Sequence, residues 1–400
     1  MSTQSLKPGW KMVKFGDIAQ NVAVRVDPAD AKTDVYVGLE HLDPSTLHLR
    51  QWGQPSDVTG QKLAFKKGDV IFGRRRAYQR KLAVAEFDGI CSAHAMVVRA
   101  KPKMILPEFL PFFLQSDMFM ERAIEISVGS LSPTINWKTL KVQEFPLPPL
   151  DEQKRIAEIL WAADEAAEAY ESVLLSLERS IDVYSDKNFL LHEARKKNPN
   201  IPPRWKIGFL NEIAKIDPSM PKGLPDELEV SFVPMESVNE GGGISKCEIK
   251  KLGDVRKGYT YFEENDVLFA KITPCMENGK GAIAEFLKNN RAMGSTEYYV
   301  FRAIKPEDTQ FIYHLTMSGV FRKRAERWMQ GSAGHRRVPK DFFTRRPIVI
   351  PDSESRRKIG LALDSLQSQK TKIRSHINAI RTGAAVFLQK SLSQTGAAHV

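Results

Sequence analysis

The densest run of basic side chains in the sequence is Lys66, Lys67, Arg74, Arg75, Arg76, Arg80 and Lys81, interleaved with Tyr78 and Gln79. Arginine carries a planar fork of donors that matches paired acceptors on a guanine edge or a phosphate, while tyrosine adds a stacking face and glutamine an amide. Such a set binds a polyanion whose edges can be read. Roughly 200 residues later comes a sparser relative of the same run, with Lys271, Thr273, Asn278 and Lys280. A second pair of stretches is led by glycine: Gly129 with Ser130, Ser132, Thr134, Asn136 and Lys138, and Gly331 with Ser332, His335, Arg336, Arg337 and Lys340. Glycine lets a backbone come close to phosphates, and Ser, Thr, His and Arg supply donors. A solvated loop and a plain helix-to-strand turn would use many of the same residue types, so composition alone leaves both readings open.

Residues that would make or break bonds are not in evidence. An amino-group DNA methyltransferase needs Asn/Asp-Pro-Pro-aromatic to hold its target base; Asp27-Pro28-Ala29 and Asp217-Pro218-Ser219 lack the second proline and the aromatic. No Gly-x-x-x-x-Gly-Lys-Ser/Thr occurs, which removes an ATP motor. Carboxylates for a two-metal nuclease are not excluded, since the sequence has 48 acidic residues. The repeated pair Asp69 and Asp266 stands where a turn precedes a strand and is read as a turn element. Cys91, Cys247 and Cys275 are odd in number and far apart, against a disulfide framework or a Cys-x-x-Cys zinc site. No catalytic residue and no metal site are expected. No eighteen-residue apolar run occurs, and Met1 to Lys7 lacks a signal-peptide core. The expectation is a cytoplasmic protein with reduced thiols.

The net charge of +11 and isoelectric point near 9.4 favour a polyanionic partner. Its distribution is periodic: residues 1–150 hold 20 basic against 15 acidic side chains, and 201–351 hold 24 against 19. The intervening 151–200 holds 7 against 11, and 352–400 holds 8 against 3. The chain is also written twice. Gly9-Trp10-Lys11 with Gly16-Asp17-Ile18-Ala19 returns as Arg204-Trp205-Lys206 with Asn211-Glu212-Ile213-Ala214. Phe65 to Phe72 returns as Phe262 to Phe269, Ala83 to Phe87 as Ala282 to Phe286, and Gly129-Ser130 as Gly331-Ser332. The matches are weak singly, but they keep one order, as a duplication would.

Each copy reads as mixed α/β. Short β-branched and aromatic runs (Val35 to Leu39, Asp69 to Phe72, Met96 to Arg99) alternate with turn residues. One amphipathic helix is expected over Pro107 to Ile126, with Phe109, Phe112, Phe113, Phe119 and Ile124 on its apolar side. Each copy ends in a proline-marked strand, Phe145 to Pro149 or Pro347 to Pro351. Beyond each of these strands the chain keeps a seven-residue apolar period: Ile156, Ala163, Tyr170 and Leu177 beside Leu160, Leu174 and Ile181, then Ile359, Leu366, Ile373 and Ile380 beside Leu363 and Ile377. Sustained heptads predict a coiled coil, and the acidic first helix should attract the basic second. An intrachain pair would be antiparallel; the alternative is that each helix packs on its own domain. The predicted division is a globular domain at 1–150, a long helix at 151–200, a second domain at 201–351, a second helix at 352–395 and a flexible tail at 396–400.

The chain resembles the specificity subunit of type I restriction-modification enzymes. The resemblance rests on Gly9-Trp10-Lys11-x-Val13-x-Phe15-Gly16-Asp17-Ile18, on Gly68-Asp69-Val70-Ile71, and above all on Phe145-Pro146-Leu147-Pro148-Pro149-Leu150-x-Glu152-Gln153-Lys154-Arg155-Ile156-Ala157. The second copy keeps the spacing of the last motif but reads Ser355-Arg356-Arg357-Lys358-Ile359. The resemblance implies two target recognition domains, each reading half of a split DNA sequence, separated by helices that set the spacer. It also implies partners: two modification subunits that methylate adenine with S-adenosylmethionine, and restriction subunits that use ATP and Mg2+. On that reading Ala162, Ala163, Ala166, Ala167 and Ala169 partly form a docking surface, although alanine is also simply a good helix former. The competing reading is a single-chain site-specific DNA endonuclease with an unrecognised active site.

Overall fold

The computed structural model describes residues 6–332 and 334–393, and the tail predicted at 396–400 lies outside them. The chain divides into two compact units, Met1–Glu171 with Ser375–Val400, and Ser172–Arg374. Both units follow one plan: a globular α/β half, the N-terminal part of the long helix that follows it, and the C-terminal part of the other long helix. The long helices run over Leu150–Phe189 and Ser353–Leu392, 40 residues each.

Among the described residues of the first unit the strands are β1 (Lys11–Lys14), β2 (Ala19–Asn21), β3 (Arg25–Val26), β4 (Tyr36–Val37), β5 (Lys62–Phe65), β6 (Val70–Phe72), β7 (Leu82–Val84), β8 (Gly89–Cys91), β9 (Met96–Ala100) and β10 (Glu144–Leu147). In the second they are β11 (Lys206–Gly208), β12 (Ala214–Ile216), β13 (Glu229–Val233), β14 (Glu248–Lys251), β15 (Thr260–Glu263), β16 (Val267–Ala270), β17 (Gly281–Ile283), β18 (Arg291–Gly294), β19 (Tyr298–Ala303) and β20 (Ile348–Ile350). One sheet is ordered β2-β9-β6-β7 in the first unit and β12-β19-β16-β17 in the second, wholly antiparallel in both. The other sheet keeps three strands in common: β4 lies parallel to β8 with β5 antiparallel beside it, and β13 lies parallel to β18 with β15 antiparallel beside it. The fourth strand differs. It is β3, outside β5, in the first copy and β14, outside β13, in the second.

The tight turn into β6 shows why the repeat preserves an aspartate. Gly68 and Asn265 sit at φ +88° and +68°, a left-handed conformation that glycine and asparagine tolerate. Asp69 accepts the Lys66 N–H at 2.8 Å and receives both arms of Arg99 at 2.6 and 2.8 Å. Asp266 repeats this with the Glu263 N–H at 2.7 Å and Arg302 at 2.8 and 2.7 Å. Both aspartates are therefore turn and ion-pair residues, as their position before a strand suggested.

The single helix expected over Pro107 to Ile126 is two helices, Leu110–Gln115 and Asp117–Glu125. Ser116 separates them: its hydroxyl donates to the Phe113 carbonyl at 2.7 Å and accepts the Phe119 N–H at 3.2 Å, capping the second helix. Ser318 makes the same break between Thr309–Met317 and Gly319–Glu326. The rotation this introduces keeps Phe109, Phe112, Phe113 and Phe119 buried but turns Ile124 to the surface, at 38% exposure.

Within each unit the two long helices pack antiparallel, so residue numbers fall along one as they rise along the other. In the first unit Ile156, Ala157 and Leu160 share a core with Leu388 and Leu392. In the second, Ile181 shares one with Ile359 and Leu363. Opposite charge follows the seam, with Arg381 on Glu171 at 2.6 Å, and Lys370 and Arg374 on Glu178 at 2.9 and 2.8 Å. Ile377 is buried too, while Ala163, Leu174, Leu177, Leu366, Ile373 and Ile380 are half-buried. Tyr170 departs from the predicted seam. It is 38% exposed, its ring edge-on to His376, because a tyrosine that keeps its hydroxyl in water lies at the margin of a seam. The alternative packing is partly realised as well, since those same buried cores contain Phe109 and Phe113 in one unit and Phe311 and Leu315 in the other.

The two joints between globular half and following helix use different chemistry at one position. Gln153 is fully buried; its amide accepts the Leu106 N–H at 2.9 Å and donates to the carbonyls of Met104 and Pro148 at 3.1 and 2.9 Å. The second copy has Arg356 there. Its guanidinium grips Asp308 through two bonds of 2.8 Å and the Pro351 carbonyl at 2.6 Å. A neutral amide network is replaced by a buried, two-point ion pair.

Candidate nucleic-acid interface

The two candidate stretches of each copy, chosen separately from the sequence, meet in space. In the first unit the β6–β7 loop lies against the stretch that follows the helix Asp117–Glu125. Arg76 N–H donates to the Pro133 carbonyl at 2.8 Å, Ile135 N–H to the Arg74 carbonyl at 2.9 Å, and Val128 and Thr134 bridge each other. The second unit repeats every element of this weave. Thr273 N–H donates to the Arg336 carbonyl at 3.0 Å, Val338 N–H to the Lys271 carbonyl at 2.9 Å, and Gln330 bridges Arg337. Each globular half thus carries one composite surface, made where a strand-to-strand loop is stitched to a helix-to-strand loop.

Side chains on the two surfaces are held differently. In the first, Arg74 turns back to the Ala93 carbonyl at 3.0 Å, and Arg76 reaches the Ser132 hydroxyl at 3.3 Å. Arg75 is half-buried, Tyr78 is 55% exposed, and Arg80 pairs with Asp117 at 2.6 Å. Lys81 donates to the Leu39 carbonyl at 2.9 Å, whereas Ser130, Asn136 and Lys138 face solvent and Ser132 and Thr134 are half-buried. Lys66 and Lys67, grouped with these by sequence, are not brought to them. They occupy the β5–β6 turn at the far end of β6, because a strand in an extended conformation separates the two loops it joins.

In the second surface three of the five lysines and arginines have an acidic neighbour. Arg336 lies 3.3 Å from Glu277, Arg337 makes a two-point pair with Glu297 at 2.8 Å, and Lys340 lies 3.1 Å from Asp217. Thr273 donates to Glu277 at 2.7 Å and Asn278 to Glu240 at 2.8 Å. Lys271 lies over the Tyr299 ring, 5.0 Å from its centroid, and Lys280 donates to the Met235 carbonyl at 3.0 Å. Ser332 and His335 are exposed. Glu277 and Glu297 have no signal in a single sequence, since only the fold brings residues 40 to 60 positions away against the loop.

Behind this second surface sits Arg322, 6% exposed, on the helix Gly319–Glu326. Its guanidinium donates to the Met276 carbonyl at 2.5 Å and the Lys280 carbonyl at 3.1 Å and lies over Phe269. Burial without a carboxylate pushes its pKa down to about 10. It bolts the 272–280 loop to the globular half from the inside. The matching place in the first copy is Met120, also buried, and there the loop is tied instead by Arg80 and Asp117.

Among the described residues no cluster of three or more metal-ligating side chains occurs, and no helix is long and apolar enough to cross a membrane. The described residues of the surfaces offer donors and a few acceptors, a set suited to recognition.

Comparison with known families agrees with this geometry. The model of the type I restriction modification DNA specificity domain matches the chain twice, over residues 8–178 and 202–380. The chain belongs to that family. Its relatives include the type I restriction enzyme EcoEI specificity subunit of Escherichia coli, 38% identical over 204 residues, which are 48% of this chain and 34% of that one. The EcoAI specificity subunit of the same organism is 39% identical over 170 residues, 42% of this chain and 29% of the relative. The chain therefore spans about a third of these relatives' length in each match. In fold it is similar to the type I restriction-modification S subunit of M. genitalium, with a TM-score of 0.61 at 15% identity over 98% of both chains. The specificity family and the two-domain mixed α/β fold with paired long helices are thus as the motifs implied.

Proposed function

We propose that this protein supplies DNA sequence specificity to a type I restriction-modification complex and performs no catalysis itself. Each globular half reads one half of a two-part duplex target through its composite loop surface. The long helices set the unread spacer and dock two modification subunits. Adenine methylation with S-adenosylmethionine, and ATP- and Mg2+-dependent translocation and cleavage, belong to the partner subunits. The observation that supports this most directly is the identical backbone weave in the two halves, which presents equivalent donor-bearing loops twice in one chain. Direct base reading by such loops needs side chains fixed in place, while phosphate contacts set register.

The test is to purify the chain with its modification subunits and map the adenines it causes to be methylated. The expected result is a split motif with a gap of constant length. A single contiguous motif would overturn the two-reader assignment. The chain alone, given DNA, Mg2+, ATP and S-adenosylmethionine, should show no turnover, and any cleavage by it would sink the non-catalytic assignment.

A further inference from the structure

Arg337 stands apart from the other cations of the two surfaces. Its backbone is fixed on both sides: the N–H donates to the Gln330 carbonyl at 2.8 Å, the carbonyl accepts the Gln330 N–H at 2.9 Å, and a bridge joins it to Ile272. Its side chain is clamped as well. Nε lies 3.0 Å and Nη2 2.8 Å from the Glu297 carboxylate, and Nη1 donates to the His335 carbonyl at 3.0 Å. Glu297 is itself held at the start of β19, its carbonyl accepting the Lys271 N–H at 2.9 Å. Even so, the Arg337 side chain is 44% exposed.

A planar guanidinium has five N–H groups. With the Nε–Nη2 edge on Glu297 and one Nη1 hydrogen on His335, one N–H on each terminal nitrogen is left without a partner. That pair needs two adjacent acceptors. A phosphate offers them, and so does the O6–N7 edge of guanine in the major groove. The neighbouring carboxylate separates the two. Glu297 offsets the positive charge that would draw a phosphate and repels that anion itself, whereas the guanine edge carries no net charge. The clamp also orders the side chain during folding, so little rotamer freedom remains to be lost on binding. No other candidate cation has this arrangement. Arg336 and Arg80 touch Glu277 and Asp117 at one point each, Arg74 and Arg76 have no carboxylate among their hydrogen-bond partners, and the lysines are point charges.

We propose that Arg337, oriented by Glu297, reads a guanine of the half-target recognised by the second globular half. This rests on the DNA-specificity reading above, and the experiment separates failure of the one from failure of the other. The full chain with its modification subunits is titrated with duplexes carrying its mapped target, in which each guanine in turn is replaced by 7-deazaguanine or by inosine. Removing N7 should weaken binding about tenfold to a hundredfold at one guanine. Inosine there, which keeps O6 and N7, should bind normally. In an Arg337→Met complex, which has no donor there, that guanine should become insensitive to loss of N7. Glu297→Gln should reduce discrimination at the same position severalfold while leaving the other half-target unchanged. The proposal is overturned if no guanine depends on its N7, if Arg337→Met keeps the same dependence, or if Arg337→Met weakens all duplexes alike, as loss of a phosphate contact would. A wild-type complex without sequence preference in either half would instead refute the specificity reading. Arg337 is solvent-facing, so its variants should melt as the wild type does, which calorimetry checks.

Discussion

The joint between the second globular half and its helix gives the sharpest stability prediction. In Asp308→Ala the guanidinium of Arg356 keeps the Pro351 carbonyl but loses both carboxylate contacts of 2.8 Å, in a site where the two side chains are 9% and 1% exposed. Removing one partner of a buried pair leaves an uncompensated charge and costs about 3–5 kcal/mol. For a unit of this size each kcal/mol moves the melting point by roughly 2–4 °C, so the transition of Ser172–Arg374 should fall by about 6–20 °C. The first copy suggests the remedy, because it places Leu106 and Gln153 where the second has Asp308 and Arg356. The double variant Asp308→Leu with Arg356→Gln removes both charges and should recover most of the loss. Differential scanning calorimetry of the full chain reads both variants against wild type, with the first unit as internal reference. A single variant that melts within about 2 °C of wild type, or a double variant no more stable than the single, would refute the buried-pair account.

Two more outcomes rest on named contacts. His48 lies between two carboxylates, with Nε2 2.8 Å from Asp164 on the first long helix and Nδ1 on Glu86; burial works to lower its pKa, but the hydrogen bonds and charges of Glu86 and Asp164 outweigh it and raise the value. A raised histidine stabilises below its ordinary value near 6.5 and stops doing so as pH climbs through the raised one, so the first unit should melt lower as pH rises above about 6.5, and His48→Gln should flatten that dependence; an unchanged slope in the variant would count against the bridge. For Arg322, substitution by Met, the residue of the first copy, should release the 272–280 loop and lower discrimination in one half-target about tenfold, with Arg322→Lys intermediate and the other half-target untouched, as measured by competition between matched and mismatched duplexes; equal losses in both halves would show only a general stability defect.

Much of the architecture was legible because it is periodic. The heptads from Ile156 and Ile359 predicted the long helices and their pairing, and the charge contrast predicted the contacts that Glu171 and Glu178 make. The turn role of Asp69 and Asp266 followed from position alone. Local capping was not legible: Ser116 and Ser318 split helices whose apolar pattern continues across them, since a serine hydroxyl serves equally well on a helix surface or as a cap. The loops proposed to bind DNA were located by their basic and glycine-led composition, but their convergence depends on backbone bonds between residues about 60 positions apart. For the same reason composition groups Lys66 and Lys67 with arginines they do not join, and carries no sign of Glu277, Glu297 or Arg322.

The unlike fastenings of the two long helices limit how freely the halves can be exchanged. The two copies share the strand order of one sheet, but their joints are not chemically interchangeable. A half bearing Asp308, set on the rod whose first turn holds Gln153, would bury a carboxylate among amides, and a half bearing Leu106, set on the rod whose first turn holds Arg356, would bury a lone cation. A working hybrid must therefore be cut after the opening turn of the rod rather than before it, so that lock and key travel together.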